Sequence, residues 1–93
     1  VGYSPVAGTD GRVGRARQVA VDPEARGQGV GSALMIEVMN RLRAGGATEM
    51  VERTADYMTG AQALYRSLDF RRAPEWDEVQ RDGPPLLAFR RHL

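Results

Sequence analysis

Arg26-Gly27-Gln28-Gly29-Val30-Gly31-Ser32 gathers a guanidinium, three glycines and a hydroxyl into one short stretch. Those types suit an anion. Glycines remove the Cβ atoms that would keep a ligand from the main chain. An arginine adds a charge-assisted contact to phosphate. The stretch also opens a helical pattern, and the first N–H groups of a helix have no internal partner and carry partial positive charge. The spacing is G-x-G-x-G, unlike the G-x-G-x-x-G of dinucleotide folds, and no Gly-Lys-Ser/Thr marks a Walker loop. On the turn alone, a structural glycine turn stays open as the alternative.

The elements that must position this turn follow from periodicity. Val1 to Tyr3 reads as the end of a strand, and Ser4 to Arg15, dense in Gly and Pro, as a loop. Ala16 to Val21 alternates as a strand, which Asp22-Pro23 ends. Val30, Leu34, Val38 and Leu42, with Met35 and Met39 beside them, predict a helix with Glu37, Asn40, Arg41 and Arg43 on its outer side. Gly45-Gly46 stops it. Thr48 to Thr54 predicts a short strand, and Thr59 an N-cap for a helix over Gly60 to Leu68. Arg72 to Val79 carries Pro74 and Trp76 and reads as a partly buried loop or an edge strand. Leu86 to Leu93 predicts a final strand. The order is an α/β pattern in one domain over residues 1–93.

Composition narrows the function classes. The chain has 93 residues, 27% charged, with a formal net charge of +1. That balance argues against nucleic acid as a partner. Cysteine is absent and the single histidine, His92, sits beside the C-terminus, so neither a thiolate nucleophile nor a metal cluster is expected. No apolar run reaches the roughly 20 residues of a membrane span. A cytoplasmic protein without membrane association is the expectation. The sequence opens on Val1 rather than Met and reads as a fragment or a processed product.

The flanks of the turn carry a resemblance. "VAVDPEARGQGVGSAL" resembles the acetyl-CoA-binding signature of the GNAT superfamily of N-acetyltransferases, through Val21, Pro23, Arg26, Gly27, Gly29 and Gly31. Downstream, Leu64-Tyr65-Arg66-Ser67-Leu68-Asp69-Phe70 resembles the family's L-Y-x-x-L-G-F ending of the second helix. The resemblance covers roughly Val19 to Phe70. It implies a GNAT-like mixed sheet with two helices, lacking the N-terminal strand-helix-helix region that shapes the acceptor pocket. It implies acetyl-CoA as co-substrate. The main chain of Val19, Ala20 and Val21 would pair with the pantetheine arm. Arg26, Gly27, Gln28, Gly29, Val30, Gly31 and Ser32 would hold the pyrophosphate. Tyr65 would protonate the thiolate leaving group; a helix-core role for Tyr65 is the alternative.

The reaction implied is acetyl transfer to an amine of unknown acceptor. The strand before the turn offers no carboxylate, and Glu52, the nearest alternative, reads as a solvated strand residue; a water chain or a carboxylate from missing sequence serves equally well, so no base is assigned. Met58 or Thr59 stands where many members have a pantetheine-binding asparagine. Asp69 stands at a glycine position whose backbone is left-handed. The missing acceptor half leaves a catalytically weak CoA-binding or dimerisation module as the alternative function. It also leaves the Ala16 to Val21 strand near an edge, for which pairing in a homo-oligomer is the expected remedy.

Overall fold

The computed structural model describes residues 2–17 and 29–93. Among these, five strands and two helices alternate: β1 (Gly2–Pro5), β2 (Val13–Arg17), α1 (Val30–Ala44), β3 (Glu49–Ala55), α2 (Thr59–Ser67), β4 (Arg71–Arg72) and β5 (Leu86–His92). The strands form one mixed sheet in the order β1-β2-β3-β5-β4. The chain divides into two compact units, Val1–Met50 with Leu93, and Val51–His92.

In the first unit, β1 and β2 form an antiparallel hairpin from Gly2↔Arg17 to Pro5↔Gly14. The expected loop over Ser4 to Arg15 is therefore shorter, and β2 begins at Val13, three residues before the expected start. Gly14 explains the difference. A Cβ there would collide with the Leu42 side chain, so the glycine is a point of close strand–helix approach and not a turn. β1 is also the sheet edge, so β2 is covered on that side. The Val6 N–H donates to the Val13 carbonyl at 2.7 Å, which by alternation turns the backbone of Tyr3 and Pro5 outward. Pro5 has no N–H to offer there, which blunts the edge.

α1 buries Met35, Val38, Met39 and Leu42, one i, i+3, i+4, i+7 stripe. Val30 and Leu34, expected on that stripe, are only half-buried. On the outer side Arg41 donates to Glu37 Oε1 at 2.9 Å, the favourable i, i+4 order. Gly45 caps the helix and Gly46 (φ 98°) turns the chain out. β3 then runs parallel to β2, with Val13↔Glu49 and Gly14↔Met50 in register. Arg12 pairs with the buried Glu49 carboxylate at 2.6 Å.

In the second unit, α2 starts one residue earlier than expected. Met58 is its N-cap and Thr59 its first residue, and no side chain caps it. The helix ends in a Schellman turn: the Phe70 N–H donates to Tyr65 O at 2.9 Å and the Asp69 N–H to Arg66 O at 3.1 Å. Asp69 occupies the left-handed position with φ 67°. A non-glycine residue there costs a few tenths to about 1 kcal/mol. Asp69→Gly is expected to raise Tm by a few degrees in a thermal melt; a fall would mean the Asp69 side chain stabilises the fold.

Trp76 closes a 3₁₀ turn, Pro74–Trp76, and is half-buried, while Arg72 belongs to the edge strand β4, so the segment over Arg72 to Val79 combines both expected alternatives. β4 pairs with β5 through Arg71↔Arg90 and Arg72↔Phe89. Arg72 grips Asp77 with both guanidinium NH2 groups, at 2.5 and 2.6 Å. With the Ala88 N–H on the same carboxylate, this holds Asp77 below the usual carboxylate range.

Candidate active site

The start of α1 has a geometry that suits an anion. Gly29, the N-cap, has φ 76° and ψ 9°, a left-handed conformation that glycine adopts without penalty. The first helical bond runs from the Ala33 N–H to Gly29 O at 3.0 Å. The N–H groups of Val30, Gly31 and Ser32 thus have no intrahelical acceptor. No side-chain cap bond serves this end and the first turn holds no acidic residue. A Cβ on Gly29 would meet nothing within 4 Å. Among the described residues, open space at Gly29, N–H groups without an intrahelical acceptor and a 15-residue helix dipole suit a diphosphate. Val19, Ala20, Val21, Arg26, Gly27 and Gln28 lie outside the described residues.

The second cluster lies on β3 and α2. The Tyr65 ring packs against Phe70 and Phe89, with centroids 5.7 and 5.6 Å away and planes tilted by 45° and 47°. Phe70 and Phe89 are buried, and the Arg66 guanidinium lies 5.4 Å from the Phe89 centroid. Burial first, and the Glu52 carboxylate second, push the Tyr65 phenol up to about 12. The phenol therefore keeps its proton throughout the neutral range. The aromatic packing and the held proton are compatible in one residue, since the ring makes the contacts while the hydroxyl holds the proton.

Glu52 corrects the sequence reading. It is 7% exposed, not a solvated strand residue. The reason is β3 itself, an inner strand of the sheet whose residues are nearly all buried on both faces. Alternation along β3 puts Met50, Glu52 and Thr54 on one face. Thr54 is 4% exposed, and its Oγ1 has no hydrogen-bond partner among the described residues. A buried hydroxyl left unpaired costs about 1–3 kcal/mol. The strand end around it is otherwise held: Gln62 Nε2 donates to Ala55 O at 3.3 Å and to Asp56 O at 3.0 Å. Neither Glu52 burial nor the Thr54 orphan has a local sequence signal; only the sheet order reveals them.

Among the described residues, a cavity of about 270 Å³ opens at the other end of α1, lined in part by Tyr3, Gly14, Arg41 and Leu42. It is a helix length of about 20 Å from Gly29, so it is separate from the anion-facing turn. No group of three or more His, Asp or Glu side chains among the described residues could hold a metal ion. No helix among them is long and apolar enough to cross a membrane.

Comparison with known proteins agrees with this geometry. The acetyltransferase (GNAT) domain family model matches residues 1–72. A mycothiol acetyltransferase from Thermobispora bispora is 37% identical over 70 residues, covering 75% of this chain and 24% of that protein. The crystal structure of a GNAT-family protein from Desulfovibrio desulfuricans superposes with a TM-score of 0.82 at 22% identity, over 97% of this chain and 57% of that one. A GNAT-family acetyltransferase from Elizabethkingia anophelis, solved with acetyl-CoA bound, superposes with a TM-score of 0.75 at 18% identity, over 91% of this chain and 63% of that one. The chain thus spans about a quarter of the curated relative and under two thirds of either structure. With matched family model, sheet order and anion-facing helix start in agreement, the chain belongs to the GNAT family of acetyltransferases.

Proposed function

We propose that this domain binds acetyl-CoA and takes part in acetyl transfer to an amine. The observation that carries this is the uncapped start of α1 at the left-handed Gly29, within a GNAT domain. Arg26 to Ser32 would hold the pyrophosphate, and the main chain of Val19 to Val21 the pantetheine arm. Acetyl-CoA supplies an activated acyl thioester. Tyr65 holds a proton at its hydroxyl for the departing sulfur. At about 12 the phenol stays protonated through the neutral range, so it can donate a hydrogen bond to the sulfur as negative charge builds there. Glu52 is buried, its charge acts on the Tyr65 phenol, and it is a candidate to accept the amine's proton.

Calorimetry with acetyl-CoA, followed by an assay of CoA release over a panel of amines, tests the reading. Absence of acetyl-CoA binding would overturn it. Binding without turnover on any amine would favour a CoA-binding module that needs further sequence for the acceptor, consistent with the short span relative to its relatives. The acceptor class stays open between proteins and small amines. A cytoplasmic site of action agrees with a cysteine-free chain. Association with a second copy is part of the proposal. Sedimentation should then give a mass above that of the 10.2 kDa chain, and a monodisperse monomer would exclude it.

A further inference from the structure

We infer that Thr54 is a ligand-binding residue whose hydroxyl donates to a carbonyl of the acyl-pantetheine arm. The inference rests on the acetyl-CoA reading above and names a contact that the glycine turn does not supply. Thr54 Oγ1 is shut off from water and has no partner among the described residues. By alternation along β3, the hydroxyl shares a strand face with Glu52, the carboxylate whose charge reaches the Tyr65 phenol. Local looseness does not explain the orphan, because Gln62 pins the carbonyls of the next two residues. Valine would fill nearly the same volume, favour a strand and leave nothing unpaired. A threonine at such a position is explained if the partner arrives with the ligand.

Calorimetry with acetyl-CoA and with 3′-phosphoadenosine 5′-diphosphate, which lacks the pantetheine arm, tests this on wild type, Thr54→Val and Thr54→Ser. Thr54→Val is expected to weaken acetyl-CoA binding about tenfold, equivalent to about 1.4 kcal/mol. It should leave the nucleotide fragment unaffected and keep or raise the Tm of the free protein. Thr54→Ser, which keeps the hydroxyl, should bind acetyl-CoA within about twofold of wild type. Unchanged acetyl-CoA affinity in Thr54→Val would overturn the inference and leave the acetyl-CoA reading standing. So would equal losses for both ligands, the sign of general damage. If Thr54→Val does not fold, a tenfold loss in folded Thr54→Ser overturns the inference and wild-type-like binding supports it. A wild type that binds no acetyl-CoA fails the broader reading, and this contact with it.

Discussion

Tyr65→Phe should lower kcat by about two orders of magnitude or more, while the KM for acetyl-CoA changes by about twofold at most. The ring contacts with Phe70 and Phe89 survive the change, so the fold is kept and only the hydroxyl is lost. A steady-state assay on any amine that wild type accepts gives the split. Equal kcat values would assign Tyr65 to packing alone. A pH titration gives a second readout. Because the folded phenol sits at about 12 against an ordinary 10.0, the unfolded chain loses this proton first as pH rises. Stability from Tyr65 is therefore complete below the ordinary value and is lost progressively toward the folded one. Wild type should lose stability more steeply than Tyr65→Phe across that alkaline window, followed by denaturant melts.

Gly29→Glu should reduce acetyl-CoA affinity by at least about a hundredfold. It places a carboxylate where the helix start faces its anion, and repulsion there replaces attraction. Gly29→Ala separates charge from backbone. Both substitutions force a side chain onto φ 76°, at a cost of about 1 kcal/mol and a Tm lowered by a few degrees. Only Gly29→Glu carries the charge, and an acid near a helix N-terminus repays part of its own strain. Calorimetry should therefore show Gly29→Ala binding within about tenfold of wild type and Gly29→Glu not binding, although both remain folded. If both variants bind alike, the turn is only structural.

Much of this was legible in the chain where the signal is local. The α1 stripe, the Gly45-Gly46 stop and the final strand each follow from residues within a few positions of one another, and the left-handed Asp69 follows from the resemblance of its helix ending to the family's. What was not legible depends on partners distant in sequence. Gly14 looks like loop until Leu42 is seen against it. Glu52 looks solvated until β3 is found inside the sheet. The orphaned Thr54 hydroxyl has no signature at all, because threonine is an ordinary strand residue.

The outward face of β1 sets terms for whatever docks on it. Among the described residues, each copy offers the Tyr3 N–H as donor and the Tyr3 and Pro5 carbonyls as acceptors. Two copies meeting edge to edge would bring twice as many acceptors as donors, so self-recognition along this strand is short of hydrogen atoms. A strand of different sequence with its full set of N–H groups has no such deficit. Along its described residues, this edge thus suits a strand of different sequence better than a second copy of itself.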